Sequence, residues 1–234
     1  MSPLTKIKNL SQCAVFMDFD NTVSTFDVLD DLIKRFSIDK NWLIYEKLWK
    51  EGTIGSRECL IGQLKSVRIS RKDLMTYLKT IKIDLGFRKL LTLLKKYRLR
   101  PVILSDSFSY LIKKILNNSG IKGLKIYANE IKIEGDRLIP SFPYSDKSCL
   151  RCAHCKKRHL LKKALQNKTI IYVGDGLSDV CPSRVAHVVF AKGGLINHLG
   201  KEKISCIPFK QLEDVYSYLK RSVYGSQKRE IVES

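Results

Sequence analysis

The chain has 234 residues, 44% hydrophobic and 28% charged, with 43 Lys plus Arg against 23 Asp plus Glu and a formal charge of +20. That apolar fraction excludes a disordered polyelectrolyte. The longest apolar runs cover only a few residues, far short of the roughly 20 that a membrane span requires.

Residues 13–18 (CAVFMD) read as a short buried strand closed by an Asp. Residues 26–83 change character. Apolar residues recur there at helical spacing, with breaks at 37–40, 52–56 and 68–70, which predicts four short helices and no strand. Trp42, Tyr45 and Trp49 fall on that spacing and read as core. An amphipathic helix follows over 86–100, and Pro101 ends it before a second buried strand over 101–105. The pattern then predicts a helix over 107–118 and a hairpin of 124–134 with 137–142. A Cys-rich stretch over 149–155 follows. Beyond it the pattern gives a helix over 157–166, strands over 169–173, 187–191 and 204–208, a helix over 178–186, and a closing helix over 211–223. Residues 225–234 read as a polar tail.

Strands alternating with helices predict an α/β fold, a Rossmann-like parallel sheet covered by helices. On this reading residues 1–23 and 84–224 form the core. Residues 24–83 form a small inserted helical cap domain, and the hairpin is an appendage. No apolar block of secretory type opens the chain, and seven cysteines make an odd number, so a reducing cytoplasm is expected.

Asp18-Phe19-Asp20-Asn21-Thr22 carries the strongest chemical signal. Two carboxylates two apart at a strand end point to one side, and ligands of open parallel sheets bind beyond the carboxyl ends of the strands. Close carboxylates repel unless a cation or a proton separates them, and Mg²⁺ accepts one or two carboxylates. A plain acidic turn is the alternative. The second signal is Gly174-Asp175-Gly176-Leu177-Ser178-Asp179, an acidic turn after another strand. It is neither a dinucleotide loop nor a P-loop. Ser178 or Asp179 as a simple helix cap is its alternative reading. The third signal is Ser105 at the end of its strand. Its hydroxyl, with the backbone N–H groups of Asp106 and Ser107 at the start of the next helix, can hold a phosphate oxygen or merely cap that helix.

Cys149, Cys152, Cys155 and His159 have the spacing C-x₂-C-x₂-C-x₃-H. That ligand count could hold a structural Zn²⁺, although a second distant pair of cysteines is missing and packed thiols are the alternative.

The order DxDxT, Ser after a strand, Lys, then GDGxSD resembles the haloacid-dehalogenase-like superfamily of phosphohydrolases. The helical insertion directly after the first motif looks like the type found in phosphoserine phosphatase. ILSDS at 103–107, the hairpin sequence at 127–144, CLRCAHCKK at 149–157 and GDGLSDVCP at 174–182 resemble one subgroup. It holds the methionine-salvage, phosphoethanolamine/phosphocholine and thiamine-monophosphate phosphatases. The likeness spans nearly the whole chain.

The resemblance implies Asp18 as nucleophile, forming an aspartyl-phosphate, and Asp20 as general acid and then base. It implies Mg²⁺ on Asp18, on the backbone carbonyl of Asp20 and on Asp175. Ser105 would hold the phosphate, and Asp179 would orient a metal-bound water or the lysine. Lys156 is preferred to Lys157 as that lysine, because the subgroup places it directly after the last Cys. The resemblance also implies substrate contacts from Asp27, facing an amine or another polar group, and from Arg57, where a solvated helix charge is the alternative. The expected function is Mg²⁺-dependent hydrolysis of a small phosphorylated metabolite. The +20 charge keeps one alternative open, a basic nucleic-acid-binding protein or nucleic-acid-end phosphatase on the same fold. A closing cap leaves little room for a polymer, which makes nucleic acid the weaker partner.

Overall fold

The structure is a computed structural model. It describes residues 7, 9–146, 149 and 151–232, with side chains as far as 222. In chain order the elements are β1 (Cys13–Met17), α1 (Val28–Phe36), α2 (Trp42–Lys50), α3 (Ser56–Ser66), α4 (Arg71–Thr80), α5 (Leu85–Lys96) and β2 (Val102–Phe108). Then come α6 (Ser109–Asn118), the hairpin β3 (Lys125–Glu134) and β4 (Arg137–Ser141), α7 (Lys156–Ala164), β5 (Thr169–Gly174) and α8 (Val180–Ser183). The chain closes with β6 (Val188–Ala191), α9 (Gly193–Lys201), β7 (Ile207–Pro208) and α10 (Leu212–Val232).

Seven strands form one sheet in the order β4-β3-β2-β1-β5-β6-β7. The fold class is the expected α/β one. β1 is paired in parallel on both sides, with β2 at Phe16↔Val102 and with β5 at Cys13↔Thr169 through Met17↔Val173. Parallel strands covered on both faces read as continuous apolar runs. Val15, Phe16 and Met17 of β1 and Ile170–Val173 of β5 are accordingly buried. The antiparallel hairpin β3–β4 tolerates Pro140 because β4 is an edge strand.

The chain divides into two compact units. One comprises Met1–Asp18, Asp84–Ile103 and Lys156–Ser234; the other comprises Phe19–Ile83 and Leu104–Cys155. In the first, Asp84 caps α5 by accepting from Gly86 N at 2.8 Å and also accepts from Leu212 N at 3.2 Å, which ties α5 to the start of α10. In the second, the four predicted helices α1–α4 are present. Their segment leaves and returns at adjacent points, because Ser24 bridges Ile83 and Thr25 N donates to Lys82 O at 3.2 Å. Asp27 and Ser70 cap α1 and α4 through Asp30 N and Asp73 N. Trp42 is buried, and the Tyr45 ring lies against Gly62 where any Cβ would collide with it, so α2 and α3 pack as the helical spacing predicts.

The structure corrects several boundaries. β2 continues three residues beyond Ser105, to Phe108. Residues 177–183 form a 3-10 turn and a four-residue helix rather than one longer helix. α10 runs on to Val232 through most of the stretch expected as a polar tail, whose last two residues lie outside the described ones. Among the described residues no helix is long and apolar enough to cross a membrane.

Candidate active site

β1 ends at Met17, and Asp18 continues its ladder by donating N–H to Val173 O at 2.9 Å. The Asp18 side chain is buried and accepts from Lys156 Nζ at 2.8 Å. Lys156 is the first residue of α7 and 2% exposed. Its ammonium also donates to Asp179 Oδ1 at 2.7 Å and to Ser178 Oγ at 3.0 Å. Three acceptors use all three N–H bonds of the ammonium.

Asp179 is fully buried and fully partnered. Tyr172 O–H and Lys156 donate to its Oδ1, while Asp175 N (2.9 Å) and Gly176 N (3.2 Å) donate to its Oδ2. The turn that brings these amides onto the carboxylate needs Gly174. A Cβ there would lie 2.5 Å from Asp179 Oδ2. Burial and the negative charge of Asp179 hold the Tyr172 hydroxyl well above its ordinary pKa, so it stays a donor.

Asp18, Asp175 and Asp179 each offer a carboxylate oxygen within 4.8 Å of the others. Three carboxylates around one ammonium leave a charge of −2 in a largely buried place, which fits a hard divalent cation. Among the described residues this is the group of metal-capable side chains that converges. The possible zinc site at Cys149, Cys152, Cys155 and His159 is not supported, since these side chains are not such a group among the described residues. None of these cysteines forms a disulfide, and the backbone of the stretch is tied by Ser56 at Arg151 and Ala153 and by Tyr144 at Cys155.

The second unit holds the remaining candidates. Asp20 Oδ1 accepts from Val28 N at 3.0 Å, and its Oδ2 accepts from Ser105 Oγ at 3.2 Å. Burial of the carboxyl, reinforced by the nearby Asp27 charge, pushes the pKa of Asp20 up to about 8. The Val28 and Leu29 amides and the Ser105 hydroxyl oppose that rise. Ser105 is 1% exposed.

The predicted placement of Asp106 and Ser107 at a helix start needs correction. Both lie in β2, since α6 starts at Ser109, and so they are not helix N-terminal donors. Ser107 N donates to Ser105 Oγ at 2.9 Å, and Asp106 O accepts from Asn129 Nδ2 at 2.6 Å. Asp27 caps α1 through Asp30 N. Arg57 is exposed and lies 5.6 Å above the Phe142 ring, a cation–π contact.

Sequence reasoning missed Tyr172, Ser178, Asn129 and His154. Ser178 sits inside the GDGLSD motif and was legible only as a cap. His154 Nδ1 lies 2.9 Å from Ser105 O, and His154 is 1% exposed.

The fold aligns with a phosphoserine phosphatase solved as a phospho-aspartyl intermediate analogue, with a TM-score of 0.66 at 18% identity over 88% of this chain and 98% of that one. That likeness is one of fold. Residues 13–193 match the model of the family described as Putative Phosphatase, and the chain belongs to that family. Among curated relatives it is 27% identical to Pdp3-interacting factor 1 of Schizosaccharomyces pombe, over 92% of this chain and 98% of that protein. It is 24% identical to the 2-hydroxy-3-keto-5-methylthiopentenyl-1-phosphate phosphatase of Bacillus cereus, over 88% and 95%.

Proposed function

We propose that this phosphatase hydrolyses a small phosphorylated metabolite through an aspartyl-phosphate on Asp18, with Mg²⁺ as cofactor. The observation that carries the reading is the shared ammonium of Lys156, held at 2.8 Å from Asp18 and 2.7 Å from Asp179. It places a fixed positive charge beside the nucleophile, which an anionic carboxylate needs to approach an anionic phosphate. Asp18, Asp175 and the backbone carbonyl of Asp20 would hold Mg²⁺, which when bound supplies further positive charge to the phosphate oxygens.

The chain's own residues account for the proton movements. An Asp18 carboxylate oxygen attacks phosphorus, and the bond to the leaving oxygen breaks. Asp20, protonated near neutrality because its pKa is pushed up to about 8, gives that oxygen its proton. The resulting Asp20 carboxylate then takes a proton from the water that attacks the phosphoryl group. Asp18 is released, and Asp20 is protonated again. Ser105 donates its single O–H to Asp20 at 3.2 Å, and it would turn that donor to a phosphate oxygen when substrate is bound. Asp179 positions Lys156.

The named phosphatases among the relatives and fold neighbours act on small phosphomonoesters, and that class is proposed here too. Seven cysteines outside any disulfide fit a reducing cytoplasm. The test is phosphate release from a panel of phosphorylated metabolites and an aryl phosphate with Mg²⁺. Wild-type turnover with none from Asp18→Asn at unchanged fold supports the mechanism, and equal activity of that variant defeats it.

A further inference from the structure

Residues 151–155 enter the function only as the segment before Lys156, yet Ser56, Tyr144 and Ser105 of their own unit all hydrogen-bond to them. Ser56, the first residue of α3, donates its backbone N–H to Arg151 O at 2.8 Å and its hydroxyl to the same oxygen at 3.1 Å. The same hydroxyl accepts from Ala153 N at 2.7 Å. Gly52, with φ +77°, leaves room for the Arg151 guanidinium, which a Cβ would approach to 3.3 Å. Cys155 N donates to Tyr144 O at 3.0 Å. Between these ties, His154 turns inward against the Tyr144 ring and meets Ser105 O at 2.9 Å. A carbonyl can only accept, so Nδ1 carries the proton.

From these contacts we infer that residues 151–155 are a strap joining α3 to the phosphate-site serine and, through the next residue, to the catalytic lysine. His154 and Ser56 are then positioning residues for the hydrolysis. The inference rests on the roles proposed for Ser105 and Lys156. His154 fixes the backbone of Ser105 on one side. Two residues on, the same backbone delivers Lys156. A buried imidazole is a costly way to satisfy one carbonyl unless its rigidity is used, because a buried polar ring must have its own partners. Misplacement of a reacting or orienting group by about 1 Å can cost on the order of 100-fold in rate. The ties at Ser56 give α3 a hold on the same strap through two hydrogen bonds on one hydroxyl.

The test compares His154→Leu, which deletes the donor, with His154→Asn, whose amide keeps an N–H in the place of Nδ1. Initial rates on an aryl phosphate with Mg²⁺ give kcat and KM, and inorganic phosphate inhibition reports ground-state anion binding. His154→Leu is expected to lose about 30–100-fold in kcat, with KM and phosphate inhibition within about threefold of wild type. His154→Asn is expected to recover to within about fivefold. Equal loss in both variants, or unchanged kcat in folded His154→Leu, overturns the inference. If His154→Leu does not fold, Ser56→Ala against Ser56→Thr decides: a lower kcat at unchanged KM only in the alanine variant supports the strap, and wild-type kcat overturns it. A wild-type chain inactive on every phosphomonoester would instead defeat the proposed function.

Discussion

The ammonium of Lys156 lies 2.7 Å from Asp179 Oδ1, with both side chains no more than 1% exposed. This pair cannot be treated like the surface pairs of the chain, such as Lys34–Asp30, which solvent screens. Removing one partner of a buried pair leaves an uncompensated charge and costs about 3–5 kcal/mol. Lys156→Met should therefore lower both activity and stability, the first by at least about a thousandfold. Urea unfolding beside aryl-phosphate turnover checks both. A variant of wild-type stability would mean that the pair contributes nothing net.

Tyr172 separates the stability role of this network from its chemistry. Its hydroxyl donates to Asp179 Oδ1, and Asp179 keeps three other donors without it. Tyr172→Phe should cost about 1–2 kcal/mol, the usual price of one buried hydrogen bond to a charged group. Turnover should stay within about tenfold of wild type. Thermal unfolding and steady-state rates on the same preparation read the two separately.

Asp20 should set a pH limit. Its carboxyl is pushed up to about 8 by burial and by Asp27, and in the proposed mechanism the proton it carries is the one the leaving group needs. The rate on an alkyl phosphate, a poor leaving group, should fall as pH rises through about 8, because only the protonated form donates. Ser105→Ala removes a hydroxyl that favours the ionised form, so the falling limb should move to higher pH while the maximal rate drops. A limb that stays in place in Asp20→Asn would assign it to another group.

The parts of the site that were legible in the sequence are those fixed by local backbone. Asp18 follows an apolar strand, and Asp175 and Asp179 share one glycine-bounded turn, so their spacing alone set their neighbourhood. Lys156 required the family resemblance, because nothing in a run of basic residues distinguishes it until burial does. Tyr172 was invisible inside an apolar strand, where an aromatic ring reads as core and its hydroxyl has no signature. The end of β2 was misjudged because Ser-Asp-Ser is turn-like in composition, yet the run alternates as a strand and Ser107 N is satisfied by Ser105 Oγ. The zinc reading failed for the opposite reason. The spacing suited a metal, but Cys149, Cys152, Cys155 and His159 are not a metal-holding group among the described residues.

Gly174 should tolerate no side chain. The φ of the residue is not the obstacle; the space is, since a Cβ would meet Asp179 Oδ2 at 2.5 Å, and that carboxylate is held by four donors and cannot step aside cheaply. Gly174→Ala should move Asp179, and Lys156 with it. A loss of about a hundredfold in kcat is expected, together with a lowered unfolding midpoint. Gly176, where a Cβ meets nothing within 4 Å, is the control: Gly176→Ala should stay close to wild type in both measurements.

Charge at the cation site gives the last prediction. With Asp18, Asp175 and Asp179 around Lys156, the cluster carries −2, and a ligand that binds only the folded chain stabilises it by mass action. At a hundredfold excess of Mg²⁺ over its dissociation constant the gain is about 2.7 kcal/mol, read as a rise in unfolding temperature that chelation reverses. Asp175→Asn reduces the cluster to −1 without touching the Lys156 pairs. In that variant the Mg²⁺-dependent rise should shrink or require far more metal, whereas unfolding without metal should be unchanged or eased, because one buried repulsion is gone. Wild-type unfolding that ignores Mg²⁺ would remove the cation from this site, and an unaltered response in Asp175→Asn would place it on other ligands.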